Sequence, residues 1–167
     1  MSAMEDLQAS PTTVLWLAPK SRLAERLAGP FEVVAERPAG GIAGCVLAAG
    51  DRAGEALRAA LADPDRIAAV VLLAPPAVAA LEPDLAAHLH EIETPVLALF
   101  GTEDTASPPA FGHDWRRALP KGFQTFVYGA GADMANERPD AVATLVTDFF
   151  GRGDRFIVKV TDGKLYD

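Results

Sequence analysis

The stretch Thr94-Pro95-Val96-Leu97-Ala98-Leu99-Phe100-Gly101-Thr102-Glu103-Asp104 decides the fold. From Pro95 to Phe100 it is continuously apolar, then it stops at a glycine and an acidic turn. A run with no polar face reads as a strand buried on both sides, as in a parallel sheet between two helix layers. The turn after it puts Asp104 at the strand's C-terminal end, the end at which open parallel sheets bind their ligands.

Working toward the N-terminus, each apolar run is followed by a helical pattern. Thr12 to Ala18 is β-branched and apolar and stops at Pro19. Ser21 is placed to cap a short helix through Ala28, which Gly29-Pro30 ends. Phe31 to Ala35 is a shorter strand near an edge, flanked by Glu32 and Glu36. Gly44 to Ala49 is a third strand; Gly50-Asp51 and a helix from Arg52 to Leu61 follow. Ile67 to Ala74 is a fourth, and Ala77 to His90 carries one helix interrupted at Pro83. Toward the C-terminus come a helix over Pro109–Leu119, a strand over Gln124–Tyr128 and a helix over Arg138–Phe150 with Pro139 in its first turn. This alternation predicts an α/β fold: a three-layer, doubly wound, mostly parallel sheet of about six strands.

Residues 1–11 read as a polar lead-in, 12–150 as the domain, and 151–167 as an extension. Within the extension, Arg155 to Val160 has a strand pattern and Thr161-Asp162-Gly163-Lys164 a turn pattern, which predicts a C-terminal β-hairpin. A lone hairpin needs a surface to lie on, so it is the first candidate for a protein-partner or homo-oligomer contact.

The chain has 167 residues, half of them hydrophobic, enough to bury one core. Its 15 basic and 23 acidic residues give a net charge of −8, which disfavours nucleic acid and anionic membrane as partners. With one cysteine, Cys45, no internal disulfide forms. The N-terminus lacks the basic and apolar regions of a signal peptide, and no run reaches the roughly 20 residues of a membrane span. A cytoplasmic location is the expectation.

Several pieces, in order and spacing, resemble the α/β-hydrolase family. They are Ile92-Glu93-Thr94-Pro95-Val96-Leu97 with Gly101-x-x-Asp104, Gly129-Ala130-Gly131 with Glu137-Arg138-Pro139, and Val146-x-x-Phe149-Phe150. Asp65 to Leu73 fits the family's strand after the nucleophile helix. The resemblance implies strand order 2-1-3-4-5-6, with the family's two N-terminal strands and its lid missing. It also implies three chemical parts. At the nucleophile elbow the sequence reads Ala49-Gly50-Asp51-Arg52-Ala53, which puts Asp51 at the nucleophile position and alanines at the flanking glycines. An aspartate there would attack an alkyl carbon and form an ester. At the oxyanion site the residues are Ala18-Pro19, and proline has no N–H to give. Asp104 fills the acid position, but the histidine position holds Ala132.

Structural roles compete for the same residues. Asp51 can be a helix N-cap for Ala53 or Gly54, and Asp104 can cap its own turn through Ser107. Cys45 reads as a buried small hydrophobe. His88, His90 and His113 lack metal-ligand spacing, and neither metal nor cofactor is expected. The leading expectation is a hydrolase-like protein without the usual triad, acting as a small-ligand-binding or protein-interaction domain. Its ligand cleft would be formed by Pro19, Gly50, Arg52, Ala132 and Asp133. The alternative is a hydrolase of esters, alkyl halides or epoxides, with Asp51 as nucleophile and Asp104 as acid.

Overall fold

A computed structural model describes residues 12–156. The strands are β1 (Thr12–Leu17), β2 (Phe31–Val34), β3 (Gly44–Ala49), β4 (Ile67–Leu73), β5 (Val96–Gly101) and β6 (Gly122–Val127). The helices are α1 (Arg22–Leu27), α2 (Ala53–Ala62), α3 (Pro83–Ala86), α4 (Gly112–Ala118), α5 (Met134–Glu137) and α6 (Pro139–Arg152). The sheet order is β2-β1-β3-β4-β5-β6, and every neighbouring pair is parallel. The chain reverses its direction of travel across the sheet between β1 and β3, so the switch point lies there.

Alternation along each strand feeds two cores. Leu15, Leu17, Val46, Ala48, Val70, Leu72, Val96, Ala98 and Phe100 face α2, α3 and α4, with Trp115 buried among them. Val14, Trp16, Cys45, Leu47, Val71, Leu97 and Leu99 face α1, α5 and α6, with Leu23, Met134, Val146 and Phe149. Every residue of β5 is buried. Phe149 meets Phe123 edge-on at 5.9 Å and Phe156 at 5.3 Å between ring centroids. Trp115 donates its indole N–H to the Pro76 carbonyl at 2.9 Å. Large rings held this way each cost about 3–5 kcal/mol to truncate to alanine.

Register carries the site. Leu17 pairs with Ala48, Ala49 with Leu73, Leu73 with Leu99 and Gly101 with Val127. The strands thus end along one rim, and the residues that follow them converge.

The structure departs from expectation in three places. The single helix over 77–90 is instead a 3-10 turn at Val78–Ala80, the one-turn α3, and another 3-10 turn at Leu89–Glu91. Pro83 forces its predecessor, Glu82, into extended backbone, so a helix can start there but not pass through. β6 begins at Gly122, earlier than expected, because Gly122 still pairs with Val96. The strand expected from Arg155 does not begin there. Gly153–Arg155 form a 3-10 turn, and Phe156 is helical and buried beside Phe149. The apolar aromatic cluster outweighs the local strand preference of this segment. The rest of the expected hairpin, residues 157–167, and the lead-in, 1–11, lie outside the described residues.

Candidate functional site

β3 is followed at once by a bend at Gly50, whose φ is +56°. Glycine takes that conformation without the cost a Cβ would add. A Cβ placed on Gly50 would meet nothing within 4 Å. Gly50 itself lines the strand-end cleft. In a nucleophile elbow the reacting side chain sits on this sharp strand-to-helix bend. By geometry the bend residue is Gly50, one position before the residue that sequence spacing selects.

Asp51 is therefore already inside the 3-10 turn Gly50–Arg52 rather than ahead of it. It caps neither that turn nor α2, which corrects the N-cap expectation. Asp51 is exposed and lines a different groove, with Gly54, Arg58, Pro76, Glu82 and Leu85. Arg52 also turns away from the cleft, donating to Glu55 from Nε and Nη2 at 3.0 and 3.1 Å. The other expected cleft residues, Pro19, Gly50, Ala132 and Asp133, all line one cavity together with Asp104.

That cavity has a volume of about 310 Å³ and sits where the rim meets the switch point. Ala18, Ala49, Leu73, Ala74, Ala106 and Met134 make its walls largely apolar. Asp104 contributes a buried carboxyl group to it, only 6% exposed. Its Oδ1 accepts the backbone N–H groups of Ala106 and Ser107, each at 2.9 Å. This is the turn-capping role that its position at a strand end suggested. Its Oδ2 is buried and has no hydrogen-bond partner. Ser107 donates its hydroxyl to the carbonyl of Ala74 at 3.3 Å, a residue at φ +49°.

The loop after β6 is fastened to the same rim. Gly129 donates its N–H to Thr102 Oγ1 at 3.0 Å, and Gly131 to Glu137 Oε1 at 2.8 Å. Glu103 donates its backbone N–H to the carbonyl of Ala130 at 2.9 Å. Gly101 is needed for this approach: a Cβ there would lie 2.3 Å from the Ala130 carbonyl oxygen. The fastening presents Ala132 to the cleft, and a methyl group accepts no proton. Asp133 receives a bond from Asn136 Nδ2 at 3.0 Å. Asn136 Oδ1 in turn accepts the Arg22 N–H at 2.9 Å and ties α5 to α1. On the opposite wall Pro19 offers only its carbonyl, which accepts the Trp16 indole N–H at 3.2 Å.

The sequence names Gly50 as a cleft residue but does not place the bend there, and it gives no site role to the contortion at Ala74 or the helical turn α5. A glycine directly after an apolar run was the available sign for the first; Ala74 and α5 left none. Cys45 lies deep in a strand, and burial pushes its thiol up to about 12, so it stays protonated and inert. Among the described residues no group of three His, Cys, Asp or Glu side chains is placed to hold a metal ion. His88 and His113 are exposed. No helix among the described residues is long and apolar enough to cross a membrane.

Neither a family model nor a curated protein matches the sequence. Solved structures do match the fold. An α/β-hydrolase enzyme, MGS-MChE2, from a metagenome of sediments of the Mar Chica lagoon in Morocco is 15% identical, with a TM-score of 0.70 over 85% of this chain and 91% of that one. A thermophilic esterase from Thermogutta terrifontis is 14% identical, with a TM-score of 0.70 over 85% and 90%. Naproxen esterase from Bacillus subtilis is 13% identical, with a TM-score of 0.66 over 84% of each chain. With its parallel sheet in the order expected from the resemblance, this chain has the α/β-hydrolase fold.

Proposed function

We propose that this protein binds a small molecule in the strand-end cleft and does not turn it over. One observation carries this reading: the two cleft positions that would attack a substrate and move its proton are Gly50 and Ala132. Neither has a reacting atom. The acid, Asp104, remains, but an acid of a triad only orients and stabilises a base. Pro19 adds to the argument, since one missing oxyanion donor typically costs about 3 kcal/mol of transition-state stabilisation. The alternative use of Asp51 as nucleophile is weakened by its exposure and its place on another groove.

Incubation with aryl esters, haloacids and epoxides, followed by intact-mass measurement and product assay, tests the reading. The expected result is unchanged mass and no release above buffer, while small apolar molecules raise the melting temperature. A covalent adduct on Asp51, or steady turnover, overturns it.

A further inference from the structure

We infer that the ligand of this cleft carries a cationic nitrogen with an N–H donor, such as an ammonium or imidazolium group, on a small apolar body; this deepens the binding reading above and rests on it. The cleft holds one deeply buried carboxylate whose hydrogen bonding is half complete. Asp104 Oδ1 has two backbone donors. Asp104 Oδ2 has none. An ionised carboxylate offers lone pairs on both oxygens and only accepts. A buried acceptor without a donor is costly to maintain, so a donor supplied from outside gains more here than at the surface.

The surroundings favour a charged donor. None of the ion pairs among the described residues includes Asp104. Lys20, the basic residue on the cleft's wall, is exposed at its mouth. A cation beside Oδ2 would complete a pair that the chain itself leaves open. Alanine, leucine and methionine carbon make much of the wall, which suits an apolar body, while Ser21, Ser107, Asp133 and Asn136 add polar atoms. At about 310 Å³ the cavity is at the lower end of the ~300–1,000 Å³ range of small-ligand sites.

The experiment uses probes of similar shape on the full chain: benzylamine and N-methylbenzylamine, both ammonium ions at pH 7, against benzyl alcohol, measured by calorimetric titration. The cationic probes are expected to bind at least about tenfold more tightly than the alcohol, in line with a charge-assisted bond. Asp104→Asn keeps an oxygen for the two backbone donors and turns the unpartnered oxygen into an NH₂ group. It should abolish the preference for the cationic probes. Ala132→Leu should weaken all probes by filling the cavity, and Asp51→Asn should change nothing. If benzyl alcohol binds as tightly as benzylamine, or the preference survives Asp104→Asn, this inference falls and the binding reading stands. If no probe binds and Ala132→Leu has no effect, both fall together.

Discussion

Two depressions meet at the bend between β3 and α2. The one beyond Gly50 is the cleft of about 310 Å³; the one beyond Asp51 is a groove of about 460 Å³. The larger is the poorer candidate for a site, because its charges lie in water and Glu55, Arg58 and Glu82 already have partners. Arg58 pairs with Glu82 and Asp84, and these three side chains are 45%, 74% and 71% exposed. The smaller cleft holds a carboxylate 6% exposed with a free oxygen. Chemistry and binding draw on groups that are buried and incompletely satisfied. A single residue step along the chain, from Gly50 to Asp51, separates the two environments.

The largest effect that can break this contrast is catalytic. Gly50→Ser with Ala132→His puts a hydroxyl and an imidazole into the cleft beside Asp104. Hydrolysis of p-nitrophenyl acetate should rise about 10²–10⁴-fold over the wild-type protein, the usual contribution of a positioned base. It should stop short of a full enzyme because Pro19 still lacks its N–H. Asp51→Ser with Ala132→His should gain nothing. The reverse pattern in initial rates would mean that the nucleophile position is Asp51 after all.

Next come two stability comparisons, each setting a residue that shapes or lines the cleft against one from the groove. Gly101→Ala should destabilise by about 3 kcal/mol in urea denaturation, since backbone oxygens of Ala130 and Gly131 occupy the space of its Cβ. Gly54→Ala should stabilise by about 0.5 kcal/mol, because its Cβ would only touch Leu85 at 3.4 Å and alanine favours the helix. Asp104→Ala should cost about 2 kcal/mol by leaving the N–H groups of Ala106 and Ser107 without an acceptor. Asp51→Ala should stay within about 0.5 kcal/mol, as exposed residues outside any network do. Equal costs at the two aspartates would erase the distinction.

The strands were legible in their apolar runs, while their order in the sheet came from the resemblance to the α/β-hydrolase family. Continuous apolar runs such as Val70–Leu73 and Val96–Phe100 have no alternative reading in a chain of this length, and the pieces between them fit right-handed crossovers. Asp104 follows the fully buried β5, whereas the loop 129–132 follows the half-buried β6 and was legible through the resemblance. The bend was misplaced by one residue because spacing was counted from a motif rather than from where the backbone turns. Only the positive φ of Gly50 reveals that turn. Residues 77–90 and 155–156 differ from expectation because pattern alone gave them a helix and a strand. Pro83 in one and the packing of Phe156 on Phe149 in the other decide them through local sterics and tertiary contact.

The smallest expected effect tests the solvated side of the contrast. Arg58 beside it holds the Asp84 carboxyl below its ordinary value, chiefly through their hydrogen bond. A carboxyl lowered in the folded state stabilises the fold above its unfolded pKa, roughly 3.9, and that contribution disappears as pH falls through the folded value. The stability difference between wild type and Arg58→Met should therefore be present at pH 6 and shrink below pH 4. Both partners are open to water, so the difference should be small and should also shrink in 1 M sodium chloride at pH 6, where screening acts over about 3 Å. The two bonds that Asp104 receives from the backbone are sheltered, so the cost of Asp104→Ala should hardly change in the same salt. Urea midpoints for both variants, with and without salt, give the comparison directly. A salt-insensitive Arg58 effect would mean that the groove's charges are shielded like the cleft's, and that burial does not set the two depressions apart.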